Sequence, residues 1–138
     1  MKEAEVKVTR RDIQKGTGRN CLRCPIAEAI ARVLPALGFE NHYVWFEPYG
    51  GMCRDALGLE IRDMCDVTVA TISEARLDYK LVKWAMNFDD WDDMRHEGWE
   101  AYEKRTGEYH PLRPEPFKFA LRLSDFTINA RVQDRLKA

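Results

Sequence analysis

Cys21 and Cys24 are separated by Leu22 and Arg23, a spacing used by zinc knuckles and by redox-active thiol pairs. Structural zinc takes four ligands in a tetrahedron, so a second pair is required. The remaining cysteines, Cys53 and Cys65, lie far apart in the chain, and none of His42, His96 and His110 is spaced to replace them. Cys21, Cys24, Cys53 and Cys65 are therefore the candidate metal ligands, but the expectation is no metal and no cofactor. A redox role needs a helix N-terminus to stabilise the thiolate, and Cys21 sits near a predicted one. The strand pattern that should precede a thioredoxin-like motif is missing. Thiols packed at a helix start are the plainer reading.

Gly16, Gly18, Arg19 and Arg23 suggest a second chemistry. Backbone N–H groups of a glycine-rich loop cradle phosphate, and neighbouring arginines add charge. The Gly-Lys-Ser/Thr ending of a P-loop is absent, as is full G-x-G-x-x-G spacing. Small-ligand or nucleotide binding by this loop is thus an alternative reading. No nucleophile motif and no HExxH pattern occurs, so a non-enzymatic protein is expected.

The third feature is the run from Phe88 to Glu103, dense in carboxylates and aromatics. On a helix, Asp89, Asp93, Glu97 and Glu100 fall on one stripe. Trp91, Met94, Gly98 and Tyr102 fall on another, with Trp99 between. Aromatics dominate binding hot spots and charges steer association. Asp89, Trp91, Asp93, Glu97, Trp99, Glu100 and Tyr102 are the candidate partner-binding residues, set against an ordinary amphipathic helix with a solvated acidic face.

These residues need elements to position them. Val6 and Val8 alternate with polar neighbours, which predicts a strand over 4–9. Thr9 and Asp12 occupy capping-box positions for a helical turn over Arg10–Lys15. A longer helix is expected to begin near Leu22, with Pro25 in its first turn and Pro35 and Gly38 ending it. Residues 42–47 read as a strand. The alternations at Leu57–Ile61 and Val67–Ala70 predict a hairpin around Asp63–Asp66. Ser73 looks like an N-cap before Leu77, Leu81, Trp84, Ala85 and Phe88, which recur at helical spacing. A second helical pattern covers Trp91 to Tyr102. After a proline-rich connection, Phe117, Phe119, Leu121 and Leu123 alternate as a strand, and a short helix is expected in the tail. The expected core is Ile26, Ile30, Val44, Leu81, Trp84, Phe88, Phe119 and Leu121. The order predicts one α+β domain over 1–138, a small mostly antiparallel sheet of about five strands covered by helices on one face.

Composition limits the function classes. With 138 residues, 45% hydrophobic and 33% charged, the chain can bury a core without cross-links. The net charge of −1 supplies no general attraction to nucleic acid or anionic membrane, so direct nucleic-acid binding is not expected. No apolar run approaches the roughly 20 residues of a bilayer span. The charged start, Met1-Lys2-Glu3-Ala4-Glu5, has no signal-peptide core. A cytoplasmic location follows as the expectation, with the cysteines as reduced thiols or ligands.

Cys24-Pro25-Ile26-Ala27-Glu28-Ala29-Ile30, together with Pro116-Phe117-Lys118-Phe119-Ala120-Leu121, resembles a group of small uncharacterised proteins of bacteriophages and actinobacteria. The Val6–Thr9 strand leading into Asp12-Ile13 and Gly16, and the helix end Trp84–Asp89, fit the same order. In that group the final strand follows the helix end closely; here a second helix intervenes. The resemblance implies a phage-type accessory protein and carries over no catalytic residue. The reading that results is a protein that binds and occludes a host macromolecule, most simply a host protein, and that could self-associate. A zinc-stabilised interaction module is a further alternative.

Overall fold

The structure is a computed structural model and describes residues 2–50, 58–107 and 110–132. Strand β1 (Glu3–Val8) leads through Thr9 into helix α1 (Arg10–Lys15). The predicted capping box is present: Asp12 N–H donates to Thr9 Oγ1 at 3.2 Å, and Thr9 N–H donates to Asp12 Oδ2 at 2.9 Å. Helix α2 (Pro25–Val33) starts later than expected. Residues 21–23 form a turn because Asn20 Oδ1 accepts the N–H groups of Leu22 and Arg23. The N-cap is Cys24, whose Sγ accepts the Ala27 N–H at 3.4 Å.

Strands β2 (Tyr43–Glu47), β3 (Gly58–Arg62) and β4 (Thr68–Ile72) form an antiparallel meander. Asp63 closes the β3–β4 turn by accepting the N–H groups of Cys65 and Val67. Ser73 precedes only a 3₁₀ turn, Glu74–Arg76. The long helix α3 (Tyr79–Glu97) starts after it, with Asp78 as N-cap. Helix α4 (Trp99–Thr106) follows at Gly98, whose φ of +97° breaks the helix. The two helical patterns of the sequence are thus divided at Gly98, not between Phe88 and Trp91.

Strand β5 (Phe117–Arg122) pairs antiparallel with β1, and β6 (Thr127–Ile128) pairs with β4. The expected single sheet is therefore two sheets, β1-β5 and β2-β3-β4-β6. The cause is local. A 3₁₀ turn at Leu123–Asp125 ends β5, held by the Arg122 N–H on Asp125 Oδ2 at 3.0 Å. It redirects the chain from one sheet to the other, and β6 replaces part of the helix expected in the tail. The fold is α+β with antiparallel pairing throughout.

Helix α2 packs against both β1 and β2, so Ile26 and Ile30 are buried where the sheets meet. Val44, Leu81, Phe88 and Leu121 join that core. Trp84 and Phe119 are only half-buried. Trp84 stacks on Phe88 at 5.7 Å, tilts onto Phe117 at 5.0 Å, and donates its indole N–H to the Glu115 carbonyl. Among the described residues, no helix is long and apolar enough to cross a membrane.

Candidate functional site

The glycine loop and the acidic helix, read separately in the sequence, meet. Residues 16–19 lie against α3, and the loop amides are taken inside the chain. Gly16 N–H donates to the Asp12 carbonyl at 2.8 Å and Thr17 N–H to the Arg23 carbonyl at 3.0 Å. Gly18 N–H donates to Asp92 Oδ2 at 2.8 Å, and Arg19 N–H to Asp89 Oδ1 at 2.9 Å. An amide that already donates in good geometry has nothing left for a phosphate. The loop has glycine for another reason: a Cβ on Gly18 would stand 3.0 Å from Asp92 Oδ2 and 3.2 Å from the Asp89 Cα.

The remaining carboxylate oxygens are also filled. Tyr49 O–H donates to Asp89 Oδ2. Arg95 Nε donates to Asp92 Oδ1 at 2.5 Å, and its Nη atoms donate to the carbonyls of Gln14 and Gly16. The Arg95 guanidinium lies 4.6 Å from the Trp91 ring centre. Burial pushes the Asp89 carboxyl above its ordinary value, against the opposing pull of Tyr49 and the Arg19 amide. Burial likewise raises the Tyr49 hydroxyl, and the Asp89 hydrogen bond adds to it. Asp89 and Asp92 are buried, so this is a structural clamp holding loop to helix. Sequence reasoning placed Asp89 on a partner surface and missed Asp92, Arg95 and Tyr49. The three- and four-residue spacing of Asp89, Asp92 and Arg95 was the available signal; Tyr49, on a loop, had none.

Helical spacing put Asp89, Asp93, Glu97 and Glu100 on one exposed stripe. The structure corrects this. Asp89 faces inward. Asp93 accepts from Arg19 Nε at 3.1 Å, while Arg19 Nη2 reaches Asp90 at 3.3 Å. Glu97 holds Arg105 in a fork with contacts of 2.8 to 3.1 Å, which keeps its carboxyl below the ordinary value. Glu100 lies beyond the Gly98 break. Trp91 is half-buried, and Tyr102 is buried with Arg105 over its ring at 5.6 Å. Trp99, 40% exposed, remains at the surface, its ring 4.9 Å from that of His110. Glu97, Trp99 and Glu100 thus form the exposed part of the candidate surface, a corner between two helices.

Gly16 and Arg23 line an open groove with Arg11 and Lys15, next to the bidentate pair of Arg32 and Asp12, while Gly18 and Arg19 face α3. The candidate ligand loop is therefore split between two surfaces. The thiols are also separated in character. Cys24 is buried, and burial pushes its thiol up to about 12, the opposite of an activated thiolate. Cys21 is buried and disulfide-bonded, which corrects the expectation of reduced thiols throughout. Its Sγ lies 3.6 Å from Glu47 Oε1, but a disulfide sulfur has no proton to donate. Cys65 is free and exposed. Cys53 lies outside the described residues. Among the described residues, no three His, Cys, Asp or Glu side chains converge as metal ligands.

Two buried carboxylates escaped the sequence reading. Glu47 is wholly buried and accepts the Trp45 indole N–H at 3.0 Å. Glu60 accepts from Thr68 at 2.9 Å and pairs with Arg62 at 3.3 Å, and Arg62 lies over the Trp45 ring. Strand alternation marks them as outward-facing, but packing covers them.

No family model matches the chain. No characterised protein and no solved structure matches it either.

Proposed function

We propose that this chain is a non-enzymatic, phage-type accessory protein that binds and occludes a host macromolecule, most simply a protein. One observation carries the reading: Trp99 is displayed on a braced corner. Gly98 turns the chain, Tyr102 anchors α4 from inside, and the Glu97–Arg105 fork ties α4 back to α3. An aromatic held in place before binding loses little entropy on association, which is what an anchor residue needs. Glu100 beside it adds the charge that steers encounter. A second copy of the chain is the other partner this corner could take.

The test compares parent and Trp99→Ala protein in capture from host lysate, with sedimentation velocity for self-association. A partner held by the parent and lost by the variant supports the proposal. Equal recovery and equal sedimentation remove the corner from consideration.

A second reading rests on the groove beside Gly16 and Arg23. Arg11, Lys15 and Arg23 gather there around the paired Arg32 and Asp12, with Glu28 as the one further acid, and this excess of cations suits a small anion. Chemical-shift changes confined to these residues on adding pyrophosphate would favour it; none up to millimolar concentration would eliminate it.

A further inference from the structure

A cavity of about 490 Å³ lies between the two sheets. It touches Phe117, Lys118, Phe119, Ala120 and Leu121, five successive residues of β5, and none of β1. Successive strand residues point to opposite faces, so only a space along the strand's edge meets all five. The cavity is a groove beside the edge of β5 that β1 leaves unpaired. Its floor contains Phe46, Leu59 and Ile72, one residue from each strand of the meander, in register across it.

The pairing phase identifies the open backbone groups. Leu123 N–H donates to the Lys2 carbonyl at 2.9 Å. Antiparallel ladders alternate bonded and non-bonded pairs, so Leu121, Phe119 and Phe117 bond to β1, while Arg122, Ala120 and Lys118 turn their backbone groups outward. The Arg122 N–H is taken by Asp125, which fits this phase. Among the described residues, the N–H and C=O groups of Lys118 and Ala120 have no protein partner.

We propose that β5 accepts an extended, acidic segment of a partner protein as an added strand in this groove. Main-chain hydrogen bonds supply the affinity of strand addition, and side-chain contacts supply the choice. Charge selects the segment. Arg76, Lys80 and Lys118 line the groove. Asp78 and Asp125 line it too, each accepting a backbone N–H, and Lys118 also reaches Glu5 at 3.9 Å, so the three cations exceed the two lining acids by a single charge. A second copy pairing through its own β5 would bring Lys118 and Arg122 against their like, which disfavours self-pairing. The surface is separate from the Trp99 corner, and either can fail alone.

The test uses the whole chain and a capped peptide of the length of β5, alternating glutamate and valine. The expected result is saturable binding, with slowed hydrogen exchange at the Lys118 and Ala120 amides. A peptide N-methylated at alternate residues should bind at least ~tenfold more weakly, since it cannot complete the ladder. Ala120→Pro removes an outward N–H and no bond to β1, as proline is tolerated on an edge; it should also abolish binding. Should that variant misfold, Lys118→Glu, an exposed charge change, should weaken binding by about tenfold. Trp99→Ala should leave peptide binding unchanged. The proposal is overturned by equal binding of the N-methylated peptide or of a lysine–valine peptide. No binding at millimolar peptide also overturns it, as does concentration-dependent protection of these amides in the peptide-free protein, which would reveal a second copy in the groove.

Discussion

The Gly18 amide and the Asp92 carboxylate are 2.8 Å apart and 74 positions apart in the chain. That single hydrogen bond, with Arg19 to Asp89 beside it, joins the N-terminal loop to α3. A Cβ on the loop residue would stand 3.0 to 3.2 Å from Asp92 and Asp89, so a side chain fits only where α3 gives by a few tenths of an ångström.

Gly18→Ala should therefore destabilise the fold by about 1–3 kcal/mol, the usual range for overpacking. Gly50→Ala is the matched control, because nothing among the described residues lies within 4 Å of its added Cβ, and it should change stability by less than ~0.5 kcal/mol. Urea denaturation of both variants measures the difference. Equal midpoints would mean that the loop does not rest on α3.

Asp89 accepts two hydrogen bonds; asparagine can keep the acceptor for the Arg19 amide and donate its NH2 to the Tyr49 oxygen in place of the second, whereas alanine can make neither. Asp89→Ala leaves the Arg19 amide and the Tyr49 hydroxyl without their acceptor and should cost about 1–3 kcal/mol. Asp89→Asn should cost much less. The pH dependence gives a second reading. Burial raises the folded carboxyl above its unfolded value, so the protonated form favours folding. That contribution is full below the unfolded value and is lost as pH rises through the folded one. Asp89→Asn should remove this loss, seen as a flatter stability profile from mildly acidic to neutral pH.

Asp12 shifts the other way. Burial pushes its carboxyl up, but the Arg32 fork and the Thr9 amide outweigh burial and hold it below the ordinary value. Its stabilisation is present above the unfolded value, near 3.9, and is lost as pH falls through the lower folded value. Asp12→Asn should lower stability at neutral pH and lose less on acidification. Parallel acid titrations of parent and variant would show the two proteins converging; a constant offset would contradict the assignment.

These carboxylates mark how far the sequence could be read. The capping box of Thr9 and Asp12, the β3–β4 hairpin and β5 were legible, because each depends on neighbours in the chain. Ile26 and Ile30 were legible as core because α2 has a clear apolar face. Asp89 and Asp92 were not, since helical spacing defines a stripe without saying what covers it, and the cover is a loop some seventy positions away. The second sheet was hidden for a related reason. β6 has two residues, too few for any alternation to show.

Thiol chemistry gives an independent check on burial. With its thiol pushed up to about 12 and buried, Cys24 should resist iodoacetamide at pH 8, because the thiolate is the reactive form. Cys65 should label quickly. Cys21 should label only after reduction and unfolding. Peptide mapping resolves the three. Labelling of Cys21 in unreduced protein would show that its sulfur is a thiol, and labelling of Cys24 would show that the start of α2 opens.

Gly98 is the test of the corner that displays Trp99. A Cβ there meets nothing within 4 Å among the described residues, yet φ is +97°, a conformation most side chains avoid. Gly98→Ala should therefore destabilise by about 1–3 kcal/mol through backbone strain alone. The alternative is that alanine, a strong helix former, joins α3 and α4 into the single helix that the carboxylate stripe suggested. Buried Tyr102 opposes this, since a continuous helix would carry it away from its present site. The expected result is a lower unfolding midpoint together with a shifted Trp99 indole resonance and faster amide exchange in α4. A raised midpoint with higher helix content would mean that nothing holds the break in place. Trp99 would then lose the braced position from which its role as an anchor is argued.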